Sequence, residues 1–186
     1  MSRADLWNQR YLSKQAAAST LPAALQASLD QLPPGRTLDL ACGDGAASLS
    51  LAAQGHQVVA VDFSTEGLQR LQGFAAERQL EIETRESDLS APQALTGLTG
   101  DFDNIVILRY LPEASLLAQL PRYMKPAARL LIQTFNREQH RQTGFPERFC
   151  LQPGALSDTL PSLTLQTYDN GLLTGSPFDR YIFVSK

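Results

Sequence analysis

A chain of 186 residues with 43% hydrophobic and 19% charged residues has enough apolar surface for a core and too little charge for a disordered segment. At this length roughly 70% of the unfolded surface is buried on folding, so a single domain over residues 1–186 is expected. The formal net charge of −3 argues against a general phosphate-backbone binder, and no stretch approaches the roughly 20 apolar residues of a membrane span. Neither nucleic acid nor a membrane is therefore expected as a partner. Two cysteines, Cys42 and Cys150, make no disulfide framework, and the opening MSRADLWNQRYLSKQ has neither an apolar core region nor a cleavage site, so the expected location is cytoplasmic.

From Arg36 onward the pattern alternates. RTLDLA reads as a short strand, GAASLSLAAQG as a helix closed by Gly55, and HQVVAVDF as a buried strand. Ser64 offers an N-cap for a helix reaching Glu77, with Leu68, Leu71 and Ala75 on one face. LEIETRESD alternates as a strand, and a weaker helix is predicted at residues 91–95. DFDNIVILRYL is the next strand, Pro112 begins another helix, and KPAARLLIQTF is the fifth strand. A polar stretch, NREQHRQTGFPERFCLQPG, leads to a helix predicted at residues 154–159. SLTLQTYDNGLL and FDRYIFVSK then pair as an antiparallel hairpin at the sheet edge. Strands alternating with helices imply a parallel sheet, because parallel neighbours need crossovers. The expected class is α/β: a doubly wound, Rossmann-like, seven-stranded, mostly parallel sheet with an antiparallel C-terminal hairpin.

Ligands of such sheets bind at the carboxyl ends of the strands. There LDLACGDG places Gly43 and Gly45 immediately before a helix. Either the glycines let the backbone pass close to a bound molecule, with the helix amides facing it, or the loop is simply a tight turn. Ser48 stands where a dinucleotide fingerprint wants its third small residue. Asp62, ending VVAVDF, is placed to accept hydrogen bonds from two ribose hydroxyls or to cap the following helix.

Asp39 precedes Gly43 by four residues, and D-L-A-C-G-D-G resembles the first motif of class I S-adenosylmethionine-dependent methyltransferases. SDLS after the third strand is similar to a later motif of that family. The resemblance implies that Asp88 lies near the adenine amino group and the backbone of Leu89 near the ring; a turn or cap is the other reading of Asp88. The opening LWNQRY resembles the W-x-x-R-Y start of small methyltransferases of the tellurite-resistance and thiopurine types. In those, residues corresponding to 1–30 form a helical lid, which implies cofactor contacts for Trp7, Arg10 and Tyr11; anchoring of a helix on the core is the other reading of Trp7. Ala41, Phe63 and Leu108, at the ends of the first, second and fourth strands, complete the expected cofactor set. LRYLP, QTFNREQ and FCLQPGAL match further landmarks. One departure is YDNG, with Asn170 where such proteins often carry a glutamate; Asn-Gly also reads as a hairpin turn.

The activity implied is methyl transfer from S-adenosylmethionine to a small-molecule acceptor. A direct displacement asks for alignment and exclusion of water rather than a nucleophile, which suits a chain with no catalytic triad and no metal-ligand cluster. Arg109 and Tyr110 after the fourth strand, and His140 in the polar stretch, are the candidate catalytic residues. His140 is either a base or a surface histidine. Arg137, Arg141 and Arg148 either attract an anionic acceptor or form a solvated loop. A cofactor-binding sensor or partner protein without turnover is the alternative function, and a nicotinamide oxidoreductase a third.

Overall fold

The computed structural model describes residues 3–171 and 176–186. Seven strands form one sheet in the order β3-β2-β1-β4-β5-β7-β6. The α/β, mostly parallel, Rossmann-like class is as expected. The chain divides into two compact units, Met1–Gly97 and Leu98–Lys186.

The first unit contains α1 (Arg3–Leu12), α2 (Ala23–Leu29), β1 (Arg36–Leu40), α3 (Ala46–Ala53), β2 (Gln57–Asp62), α4 (Thr65–Glu77) and β3 (Ile82–Glu86). β2 pairs in parallel with β1 on one side and β3 on the other, with Leu40 opposite Val61 and Asp62 opposite Glu86. Its Val58–Val61 run is fully inside, as a parallel strand covered on both faces requires. α4 starts at Ser64, whose hydroxyl accepts the Gly67 N–H at 3.1 Å, and buries the predicted Leu68, Leu71 and Ala75. The helix predicted at residues 91–95 is absent. Successive i to i−3 bonds from Ala91 to Asp88 and from Ala94 to Ala91 close turns instead, and the Asp88 side chain holds Ser90 in the first of them.

The second unit contains β4 (Phe102–Leu108), α5 (Ala114–Leu117), β5 (Met124–Phe135), α6 (Arg137–Thr143), β6 (Leu163–Asp169) and β7 (Phe178–Ser185). β4 and β5 are parallel, and β7 runs antiparallel to both β5 and β6. The helix expected from Pro112 shrinks to the single turn of α5. The polar stretch after Phe135, in contrast, holds an unpredicted helix. The Asn136 side chain accepts the Glu138 N–H at 2.9 Å to start α6, and Gly144 at φ 72° ends it. The helix predicted at residues 154–159 is replaced by turns. Gly154 has φ 73°, outside the helical range, and its N–H is bonded to the Tyr168 hydroxyl at 2.6 Å. Asn170-Gly171 does not form a two-residue hairpin: β6 ends at Asp169 and β7 begins at Phe178. Gly171 has φ 67°, and a Cβ there would stand 2.7 Å from the Ser176 carbonyl oxygen. Residues 172–175, including the Leu172 and Leu173 that end the first of the two apolar segments, lie outside the described residues.

β7 also carries a fully buried acid. Asp179 Oδ2 accepts the Tyr168 hydroxyl at 3.2 Å and lies 3.5 Å from that of Tyr181. Burial raises its pKa, and hydrogen bonds from Asn136, Tyr168 and Tyr181 oppose the rise only in part. A carboxyl whose folded pKa lies above its unfolded value loses stability as pH rises from the unfolded pKa through the folded one. Asp179→Asn keeps an acceptor for Tyr168 and removes the titration. Urea unfolding at about pH 4 and about pH 7 is expected to show a smaller loss of stability towards neutral pH in the variant than in the parent.

Candidate functional site

The loop after β1 turns three times through the left-handed region: Ala41 has φ 58°, Gly43 φ 59° and Gly45 φ 82°. Left-handed alanine is rare, and its use here marks a turn whose shape is imposed by its surroundings. Asp62 imposes much of it. Its Oδ2 accepts the Gly43 N–H at 2.8 Å and its Oδ1 accepts the Ser64 N–H at 2.9 Å, so one carboxylate ties the glycine loop to the start of α4. The side chain is buried, and burial raises its pKa against the pull of hydrogen bonds from Ser64, Gly43 and Phe63. A carboxylate has about four acceptor positions. Three of them are taken by these amides, which leaves about one for a further donor.

Asp39, at the middle of buried β1, accepts the Ser48 hydroxyl at 2.6 Å. Ser48, which spoils a dinucleotide fingerprint, is thus the donor that couples α3 to the acidic strand. The two glycines also serve the protein's own packing. A Cβ at Gly43 would overlap the Tyr11 hydroxyl, and one at Gly45 would stand 2.8 Å from Leu71 Cγ. Tyr11 is buried on α1, whereas Trp7, with Arg10 stacked 4.8 Å over its ring, is exposed. α1 is fixed at its middle, where Asn8 accepts the Ser64 hydroxyl at 2.6 Å. Phe63 is half-buried beside Asp62. Asp88 is exposed, and its Oδ1 accepts both the N–H and the hydroxyl of Ser90, at 2.9 and 2.7 Å, while Leu89 is buried.

In both its sequence and its fold this arrangement has known counterparts. The methyltransferase domain family matches residues 37–131, more than half of the chain. The chain belongs to that family. A ubiquinone biosynthesis O-methyltransferase of Xanthomonas oryzae pv. oryzae is 33% identical over 120 residues, covering 61% of this chain and 48% of that protein. The chain spans about half the length of the curated relatives it matches. TehB of Haemophilus influenzae shares the fold with a TM-score of 0.73 at 18% identity, over 98% of this chain and 67% of that one. Magnesium protoporphyrin IX methyltransferase of Synechocystis PCC 6803, solved with bound SAM, shares it with a TM-score of 0.70 at 16% identity, over 98% and 95%. The resemblance of the motifs to class I S-adenosylmethionine-dependent methyltransferases is borne out at the level of that family, and the likeness to TehB is one of fold.

In the second unit of this methyltransferase-family chain, Leu108 is buried at the end of β4. Arg109 follows with φ 56° and an exposed side chain, held by its N–H on the Gln133 carbonyl at 2.9 Å. Tyr110 is half-buried. His140 is exposed on α6, and its Nδ1 lies 2.7 Å from the Phe145 carbonyl, so Nδ1 carries the proton and Nε2 is the acceptor of the neutral ring. Two of the three loop arginines are paired: Arg137 with Glu147 at 3.0 Å and Arg141 with Glu138 at 2.8 Å; Arg148 stacks 4.6 Å over Phe149. Burial raises the Cys42 thiol well above its usual range, with Asp39 and Asp62 adding to the effect, so it is no nucleophile near neutral pH.

The motif reading missed Asp44. It is buried between the two glycines, and its Oδ2 accepts Lys14 Nζ at 2.9 Å and the Ser19 hydroxyl at 2.8 Å, with Arg70 Nε at 3.6 Å. Its only trace in the sequence is an acid inside a glycine turn, where nothing local balances it. Gly45→Ala tests the loop geometry, since it combines left-handed strain with a clash against Leu71. It is expected to cost about 3 kcal/mol in urea unfolding, and Leu71→Ala added to it is expected to leave the variant destabilised, because φ is unchanged.

Proposed function

We propose that this chain binds S-adenosylmethionine on the first unit's glycine loop and transfers the methyl group to a small-molecule acceptor by direct displacement. The observation that carries the reading is Asp62, a buried carboxylate held by backbone amides at the tip of β2 beside a loop of left-handed residues, with acceptor capacity left over. A ribose hydroxyl is a donor suited to that remaining capacity. The start of α3 presents free amides next to Gly45, suited to a carboxylate.

In this proposal Asp62 holds the ribose, the backbone of residues 41–45 faces the methionyl portion, and Leu89 and Phe63 supply apolar contact to the adenine. Asp88 takes the adenine edge only by sharing its carboxylate with Ser90. Tyr11 and Arg10 approach from α1, and Asp39 acts from below through Ser48. The cofactor, when bound, supplies a methyl group on a sulfonium, so the residues around it have to orient the acceptor and exclude water. Leu108, Arg109, Tyr110 and His140 belong to the same proposal; the Nε2 of His140 is the acceptor nitrogen available as a base for a hydroxyl or amine. The chain's negative charge favours a small acceptor over nucleic acid. Oxygen is the expected acceptor atom, by similarity to the ubiquinone O-methyltransferase, and the cytoplasm the expected location.

Calorimetric titration with S-adenosylhomocysteine tests the cofactor site. Micromolar binding is expected, with Asp62→Ala weakening it about 100-fold while the protein stays folded, since a hydrogen bond to a charged group is worth about 1.5–3 kcal/mol. The absence of any heat with folded protein would overturn the proposal. Because burial raises the Asp62 pKa, affinity should fall as pH is lowered through that raised value and the carboxylate takes up a proton. Transfer of a labelled methyl group to small molecules of a cell extract separates an enzyme from a protein that only binds the cofactor.

A further inference from the structure

The segment from α1 to Ser19 lies on the glycine loop as a strap, and its attachments converge on Asp44. Lys14 Nζ reaches Asp44 Oδ2 at 2.9 Å, the Ser19 hydroxyl at 3.0 Å, and the face of the Tyr11 ring at 4.8 Å. Ser19 reaches the same carboxylate oxygen at 2.8 Å. From α4, Arg70 donates to the carbonyls of Gln15 and Ala17 at 2.8 and 3.2 Å while its Nε stands 3.6 Å from Asp44. The far end of the strap is held separately, by Asn8 on Ser64.

The chemistry of these contacts is unequal. Asp44 and Arg70 are fixed in the body of the unit and largely shielded, with side-chain exposures of 5% and 17%, whereas Lys14 is 41% exposed and belongs to the strap. Lys14 is therefore the removable member of a clamp whose other parts stay in place. What it clamps is Tyr11, whose hydroxyl stands against Gly43, the residue whose N–H is tied to Asp62. Access to the Gly43–Asp62 pair from this side requires Tyr11 to move, and Tyr11 moves with the strap.

We infer that Asp44 is a positioning residue: by pairing with Lys14 it clamps the strap, and with it Tyr11, over Gly43, and so sets how fast a cofactor enters and leaves the loop. This rests on the cofactor site proposed above. Asp44 acts through Lys14 and Tyr11 and needs no contact with the ligand. Gating of this kind alters association and dissociation together, while a simple brace would alter stability alone. The same carboxylate also adds a negative charge near Asp62. Lys14 and Arg70 offset that charge when the strap is down.

Trp7 is the chain's only tryptophan and sits on α1 with its ring 5.9 Å from Tyr11, so its fluorescence reports the strap. Three measurements test the inference: calorimetric binding of S-adenosylhomocysteine, its dissociation rate followed at Trp7, and trypsin cleavage after Arg10 in the free protein. Lys14→Gln is expected to speed both cleavage and dissociation about tenfold, as loss of a charge-assisted hydrogen bond implies. Asp44→Asn should do the same and Lys14→Arg should restore both rates. Rates equal to the parent's in Lys14→Gln, or faster cleavage with unchanged dissociation, would overturn the inference. If calorimetry shows no binding to the parent, the cofactor proposal fails by itself. The clamp then stands on faster cleavage in Lys14→Gln and falls if cleavage is unchanged.

Discussion

One carboxylate organises the first unit. Asp62 ends a buried parallel strand and spends an oxygen on each of two backbone amides, Gly43 in the preceding loop and Ser64 at the start of the next helix. Burying a charge is costly unless hydrogen bonds replace water, and these amides do so with the backbone groups that a turn and a helix start leave unsatisfied. The left-handed turn at residues 41–45, the N-cap of α4 and the docking of α1 on Ser64 all meet at this point. The compensation is incomplete, since the pKa of Asp62 is still raised.

Three aspartates lie within 24 residues of one another, and each is balanced by different means. Asp39 faces a hydroxyl, Asp62 faces backbone amides, and Asp44 faces two cations. The third arrangement reaches outside the β1-α3-β2-α4 framework, because Lys14 comes from the N-terminal segment. The charge least supported by local structure is therefore the one that recruits a distant segment, which is how an electrostatic need becomes a tertiary contact.

The second unit solves a similar problem differently. Asp179 lies among the hydroxyls of Tyr168 and Tyr181 and the side chain of Asn136, and burial outweighs these hydrogen bonds and holds its pKa up. Tyr168 relays that network to Gly154, whose left-handed conformation is not that of a helix. The arginines of the neighbouring polar segment are largely engaged with glutamates and with Phe149, which favours the solvated-loop reading over an anion-collecting surface. Arg109 differs, being exposed and in a left-handed conformation at the end of β4.

The order of strands and helices was legible in the sequence because buried parallel strands read as continuous β-branched runs and because Ser64 and Gly55 punctuate α4 and α3 with local chemistry. Gly43, Gly45 and Asp62 were legible from their places at strand ends, and Asp39 from the resemblance of its motif to the family's first motif. The failures at residues 91–95 and 154–159, and the unpredicted α6, arise where weak local preference is overruled: by turns that Asp88 holds through Ser90, by a left-handed glycine at 154, and by a single asparagine cap. Asp44 could not be paired from the sequence, since Lys14 and Arg70 stand 30 and 26 residues away on opposite sides of it. The sequence by itself determined the repeating backbone pattern and the acids at its turns, because those depend on near neighbours. The tertiary structure alone decided which distant cations and hydroxyls meet the acids, because such pairs follow from where the packed helices place their side chains.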